Sequence, residues 1–437
     1  MLKPQNLILL IVAIGVVLAL DTYLFKAISP RINNLQTGWL RKTYRILFWT
    51  STAVMFGSFL MIFLYFSIRF VTSVTLMNVT MALFILMIVP RIFLLAIFLL
   101  EDGARLIEGI IRYFSGNPVS SAEIVSAEQA EPGFFPDRRA FIGQLALGAA
   151  AVPFAGILYG VTKGKYNFTV RRLTLSSPDV PNNFDGFQLL QISDLHTGSF
   201  DSVRNVQYGV DMIKDQGADL ITFTGDMVNN VASEVEPWMG IFDQLEAREG
   251  VYSTLGNHDY GDYVAWPDQA SKTANLALLK QHHASMGYDL LLNEHRIIER
   301  NGERIVLGGV ENWGKPPFPQ HGDLRQTFAG TDENAFRILM SHDPSHWDGQ
   351  VLDHDLPVNL TLSGHTHGMQ FGIEIPGFRW SPVKYRYPRW AGAYEEGGKF
   401  LYVNRGFGYL AFPGRVGIWP EITVITLKQG PAGMTEA

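Results

Sequence analysis

The chain has no cysteine among its 437 residues. Disulfides, thiolate catalysis and zinc–thiolate sites are therefore excluded, and redox chemistry says nothing about the compartment. Charge is also scarce: 17% of residues are charged and the formal net charge is −6. Bulk electrostatics of that kind give no support for a nucleic-acid partner, and none is expected. Apolar residues, at 47%, take the place of charge. Their excess lies ahead of residue 165, so the average merges a membrane part with an ordinary globular part. A chain of 437 residues also exceeds the usual single domain.

The membrane domain is expected over residues 1–165, with four spans at 6–25, 46–69, 74–100 and 140–161. Each is apolar over a length able to cross a hydrocarbon core of ~30 Å. Pro90-Arg91 interrupts the third. Either it kinks a spanning helix whose arginine faces other helices or a wet cavity, or 74–89 spans while 92–100 lies in the interface. Gly156 and Gly160 in the fourth would permit close helix packing. Residues 115–137 mix Ser, Ala, Glu, Gly and Pro without an apolar period and read as a flexible loop.

Lys26, Arg31, Arg41, Lys42 and Arg45 should hold the first loop in the cytoplasm. Four spans then deliver the remainder of this multi-pass membrane protein to the extracytoplasmic side. Asp137-Arg138-Arg139-Ala140-Phe141-Ile142 ahead of the fourth span is a twin-arginine-like signal, with Asp where Ser or Thr is usual. Lys163, Lys165, Arg171 and Arg172 beyond that span argue instead for the cytoplasm.

From about Asn167 short β-type runs alternate with amphipathic stretches, defining a second domain over 167–428 and a tail over 429–437. The runs end in polar motifs: Asp194-Leu195-His196, Gly225-Asp226, Gly256-Asn257-His258-Asp259, Ser341-His342-Asp343 and Gly364-His365-Thr366-His367. Apolar strands with polar residues at their carboxyl ends indicate a layered α/β fold with its site on one rim. The residue types suit a pair of divalent ions ~3.5–4 Å apart, which needs one carboxylate able to bridge them. Asp226 is the expected bridge. Asp194, His196 and His367 would complete one ion's shell, and Asn257, His342 and His365 the other. Imidazole with carboxylate suits manganese, iron or zinc.

This ordered set resembles the calcineurin-like metallophosphoesterase family, over roughly residues 170–428. The resemblance implies an αββα domain with two packed mixed sheets. It also implies in-line attack on phosphorus by a water or hydroxide shared by the two metals. His258 would then be the non-ligand acid or transition-state stabiliser, with Asp259 orienting it. No motif for a covalent serine or cysteine intermediate is visible.

Other residues carry less. His282 and His283 fall in an expected helix, and His295, His321, His346 and His354 lie in polar stretches. The aromatic–basic run Trp380–Trp390 would form a cleft wall, a membrane-facing lip or a solvated hairpin edge. Arg386, Arg389, Trp390 and Arg405 are candidate substrate contacts, and Arg415 is a further candidate for phosphate. The expected function is hydrolysis of a phosphodiester or pyrophosphate bond in a lipid-linked or head-group phosphate, with membrane lipid as partner. Three alternatives stand beside it: a UDP-2,3-diacylglucosamine pyrophosphohydrolase of lipid A synthesis, an anchored phosphodiesterase for soluble nucleotides, and a non-catalytic receptor or scaffold. The last would show a lost ligand or a lost His258, and none is lost.

Overall fold

A computed structural model describes residues 4–33, 37–68, 74–115 and 138–436. The chain divides into two compact units, Met1–Tyr159 and Gly160–Ala437.

The first unit is built from α1 (Pro4–Asn33), α2 (Gly38–Ile68), α3 (Val74–Phe114) and most of α4 (Arg138–Thr162). All four helices are long and apolar enough to cross a membrane. Of the two expectations at Pro90-Arg91, the structure has the continuous helix: α3 runs through the proline for 41 residues. At 1.5 Å per residue it is about 60 Å long, roughly twice a bilayer's hydrocarbon thickness. Its last turns are amphipathic, carrying the i,i+4 pairs Arg105–Glu101 and Arg112–Glu108.

The proline is accommodated beside a polar cluster. Arg91 Nη1 donates to the Met87 carbonyl at 2.9 Å, and Arg91 Nε meets Asp21 Oδ1 at 3.0 Å. Thr52 donates to Asp21 Oδ2 at 2.6 Å, and Arg91 Nη2 donates to Ser51 at 2.7 Å. Arg91 thus faces other helices, because a charge in an apolar unit is tolerable only when paired. The expected flexible loop and Asp137 of the arginine motif fall outside the described residues, apart from Ser115 at the end of α3, as do the side chains of Arg138 and Arg139.

Two mixed sheets form the second unit. The first has the order β15 (Gly433–Glu436), β1 (Thr169–Ser177), β14 (Glu421–Gln429), β2 (Gln188–Ile192), β3 (Leu220–Phe223), β4 (Val251–Ser253), β5 (Tyr288–Leu290). The second has the order β12 (Gly392–Glu396), β13 (Lys399–Val403), β9 (Leu360–Ser363), β8 (Phe336–Met340), β7 (Glu303–Gly309), β6 (Glu294–Arg300). A two-stranded hairpin, β10 (Ile373–Ile375) with β11 (Phe378–Trp380), stands apart from both.

Leu173, Leu189 and Ile425 of the first sheet share one core with Ile305, Ile338, Leu362 and Tyr402 of the second, so the sheets pack face to face. The outer face of the first sheet is covered by α5 (Val203–Lys214), whose Val206, Val210 and Ile213 recur at helical spacing on one side, and by Leu279 of α6 (Gln269–Ser285). Trp347, Val351, Leu324 and Phe328 cover the outer face of the second. Buried on both faces, the central strands read as continuous apolar runs rather than alternating ones.

The tail expected over 429–437 is a correction. Residues Gly433–Glu436 pair antiparallel with β1 and form the sheet's edge, with Met434 packed against the inter-sheet core.

Candidate metal centre

Each predicted metal-binding residue follows a strand, and the chain must turn sharply there. Asp194 lies two residues after β2, Asp226 three after β3, Asn257 four after β4, and His342 and His365 each two after β8 and β9. Five of these side chains sit on left-handed backbone: Asp194 (φ 53°), His196 (φ 47°), Asp226 (φ 59°), His365 (φ 69°) and His367 (φ 50°). Non-glycine residues adopt that region at a cost, and such strain gathers at functional sites. Neighbouring loops interlock to hold it. His196 N–H donates to the Asp226 carbonyl at 3.1 Å, and His365 N–H donates to both carboxylate oxygens of Asp194 at 3.0 Å. His258 N–H donates to Asp226 Oδ1 at 2.8 Å. Gly256 and Gly364 are required by close approach, since a Cβ on either would collide with the Asp226 or Asp194 carboxylate.

Two groups of donors result, Asp194 with His196 and His367, and Asp226 with His342 and His365, each with its ligand atoms mutually within 4.8 Å. Asp226 Oδ2 lies between the groups, 3.1 Å from His342 Nε2 and 3.5 Å from His196 Nε2. His365 turns Nδ1 toward His342 Nε2 at 3.3 Å, while His342 Nδ1 donates to the Thr224 carbonyl at 2.8 Å. His367 Nε2 faces Asp194 Oδ1 at 3.2 Å. Several buried donor atoms have no hydrogen-bond partner: both ring nitrogens of His196, Nε2 of His367 and Oδ1 of Asn257. The Asn257 amide is aimed by its other end, Nδ2 donating to the Tyr263 hydroxyl at 2.7 Å. Orphaned lone pairs converging in a buried pocket are costly unless a cation satisfies them. The residues fit divalent ions.

The electrostatics agree. Burial raises a carboxyl, yet His367 and His342 hold Asp194 below the usual carboxylate range, and His342 and His258 do so for Asp226. Burial opposes charge on His342, but Asp226 and Asp194 outweigh it and push the imidazole up to about 10. The pocket draws positive charge.

His258 stands beside this pocket, its ring centroid 4.9 Å from that of His196 and 4.4 Å from that of Tyr263. Its Nδ1 lies 2.7 Å from the Asn229 carbonyl, an acceptor only, so Nδ1 carries the proton of that bond and Nε2 takes no part in it. The expected role of Asp259 is corrected here. Its carboxylate accepts from the amides of Asp226, Met227, Val228 and Gly256 at 2.8–3.3 Å, bracing the metal loops rather than the His258 ring. Burial and Asp226 push its carboxyl up to about 7, against four amides that favour the ionised form.

The expected substrate contacts are mostly structural. Arg405, 1% exposed, is locked to Glu421 at 2.5 Å and Glu374 at 2.6 Å. Trp390 is buried against Ala391 and Ile418. Arg389 pairs with Asp348 and Glu396 and lies over the Trp347 ring, while Arg386 is exposed and donates to the Pro316 carbonyl. Arg415 is buried, with Nη2 3.2 Å from His367 Nδ1 and bonded to the Gly406 and Gly408 carbonyls. Packing absorbed Arg405 and Arg415 because a buried guanidinium without partners is too costly.

His283, expected on a helix, is buried there against Ser253, and burial pushes it down to about 3. His346, expected in polar surroundings, is buried against Trp313 and pushed down to about 4.

Two residues were missed. The Tyr387 hydroxyl lies 2.7 Å from His365 Nε2, and Asp343 Oδ2 lies 3.6 Å from the same nitrogen, so both aim His365 from behind. The Trp380–Trp390 run signalled Tyr387, but nothing local singled it out.

Comparison with known proteins agrees with this geometry. Residues 187–369 match the calcineurin-like phosphoesterase domain, and residues 5–165 match the transmembrane domain described as that of a probable calcineurin-like phosphoesterase. The metallophosphoesterase YkuE of Bacillus subtilis is 30% identical over 67% of this chain and 97% of its own length. Phosphodiesterase YaeI of Escherichia coli is 25% identical over 66% of this chain and 98% of its own. The UDP-2,3-diacylglucosamine pyrophosphatase LpxG of Chlamydia trachomatis is 24% identical over 55% of this chain and 83% of its own. The chain belongs to the calcineurin-like phosphoesterase family, and it is a membrane protein and a metal-dependent phosphoester hydrolase.

Proposed function

We propose that this protein hydrolyses a phosphodiester or pyrophosphate bond of a lipid-linked or head-group phosphate, at a two-metal centre. The observation that carries the reading is the position of Asp226 Oδ2 between His342 Nε2 and His196 Nε2, which suits a carboxylate shared by two ions. Asp194, His196 and His367 would hold one ion, and Asn257, His342 and His365 the other, with manganese, iron and zinc all suited. Bound there, such ions supply Lewis acidity at the phosphoryl group and activate a water. The chain's own residues do the rest. Asp343 and Tyr387 fix the His365 ring, Asp259 braces the loops, and His258, held through Nδ1, offers Nε2 to the leaving oxygen.

The membrane helices support a lipid substrate, since four exceed what an anchor needs. Positive charges in the first loop support an extracytoplasmic active site. A second reading, cleavage of a nucleotide-linked lipid diphosphate in the cytoplasm, is favoured by the likeness to LpxG.

The test is hydrolysis by the full chain in lipid nanodiscs, with manganese, of a phospholipid diester and of soluble bis-p-nitrophenyl phosphate. Faster turnover of the lipid is expected. Equal or slower turnover removes the lipid assignment, and activity unchanged by Asp226→Asn removes the site. Reporter fusions after Ala437, with Arg138 and Arg139 intact or changed to Lys, separate the two readings. An external C-terminus supports the first, and an internal one in both forms promotes the second.

A further inference from the structure

The hairpin β10–β11 has its polarity reversed. Its register pairs Ile373 with Trp380, Glu374 with Arg379 and Ile375 with Phe378. Directly opposed residues and those two apart share a face, so Ile373, Ile375, Phe378 and Trp380 lie on one side and Glu374 and Arg379 on the other. In a soluble protein the apolar side would turn inward. Here Glu374 does, pairing with Arg405 at 2.6 Å and with Arg171 at 2.9 Å, while Arg379, itself exposed, lies back over the rings of Trp390 and Tyr394. The apolar side is left outside, with Ile373 49%, Ile375 58% and Phe378 52% exposed. Tyr385, 77% exposed, and the exposed Lys384 and Arg386 flank it.

The path of the chain states what lies nearby. Gly160, in the last turn of the spanning helix α4, accepts from Arg415 N–H at 3.2 Å, and a Cβ on it would meet the Arg415 carbonyl at 2.6 Å. Gly164, two residues past that helix, meets the same carbonyl. Val416, the next residue, bonds on its other side to Gln370 and Gly372, at 2.8 and 2.9 Å. The hairpin begins one residue later, at Ile373. It therefore springs from the segment that packs against Gly160 and Gly164, the last turn of α4 and the residues just past it.

We propose that the hairpin Ile373–Trp380 docks on the lipid surface, with Ile375 and Phe378 set into the head-group–acyl boundary and Lys384 and Arg386 among the head groups. Interfacial elements combine this apolar face with aromatic and basic flanks. The charged anchor explains why the outward face stays apolar: Glu374 and Arg379 hold the hairpin to the domain without spending any apolar surface. Tyr387, a short way along the chain, reaches His365, so the docked surface continues toward the metal pocket.

The absence of cysteine makes the test direct. Phe378→Cys in the full chain is labelled with an environment-sensitive dye and placed in nanodiscs of phosphatidylcholine and phosphatidylglycerol, with and without brominated acyl chains. A blue-shifted emission that brominated lipid quenches is expected. A dye at Glu333→Cys, exposed ahead of β8 at the end of that strand away from His342, serves as control and should show neither. Adding Ile375→Asp to the Phe378→Cys chain should relieve the quench. Water-like emission at position 378, or a quench that Ile375→Asp leaves intact, overturns the proposal. Neither readout depends on catalysis, so a wrong substrate assignment would leave it standing.

Discussion

Buried polar side chains occur in both units of the molecule, and they end in opposite states. Between the membrane helices, Asp21, Arg91, Ser51 and Thr52 form a cluster in which the Asp21 carboxylate and the Arg91 guanidinium each meet several partners. In the catalytic unit, His196, His367 and Asn257 are buried and keep ligand atoms without partners. Polar groups that satisfy one another fasten a structure. Groups that converge and leave lone pairs unmet await a cation, and chemistry follows from that. The Arg171–Glu374–Arg405–Glu421 network is an intermediate case inside the catalytic unit: its ion pairs fasten the structure, although Nε of Arg171 and of Arg405 have no hydrogen-bond partner.

The comparison predicts which residue affects which property. Asp226→Asn should lower turnover of bis-p-nitrophenyl phosphate by at least ~10³-fold and reduce bound metal, measured by elemental analysis, with the fold intact. Arg91→Met leaves the Asp21 carboxyl without its cationic partner between the helices. A loss of about 3 kcal/mol in stability of the membrane unit in detergent is expected, with kcat on the soluble diester unchanged. A selective loss of kcat there would make the cluster functional and break the contrast. With His258 as the acid proposed above, His258→Asn should cost kcat about 10²-fold while KM and metal content hold. Tyr387→Phe should cost about 10-fold in metal affinity or activity, the usual effect of a group that aims a ligand. Equal metal affinity and activity in that variant would leave Asp343 alone behind His365.

The donor set was legible because each residue follows a strand in a short Gly- or Ser-marked motif, and strand ends are local features. The spans were legible for the same reason, being contiguous apolar runs. Arg405 and Trp390 failed as substrate contacts because their fates depend on Glu421, Glu374 and Ile418, which no local pattern connects to them. Asp259 failed as the partner of His258 because its four amide donors come from two different loops. The strand Gly433–Glu436 was read as tail because four residues after a Gly-Pro turn carry too little period to show pairing.

By itself the amino-acid sequence determined the reaction class, the ligand types and the presence of four membrane helices, since composition and short spacings carry all three. Tertiary structure alone decided two further things: which arginines are silenced in ion pairs, and which face of the β10–β11 hairpin looks outward. Each depends on groups far apart in the chain meeting in a low-dielectric interior, where the cost of an unpaired charge selects the partner.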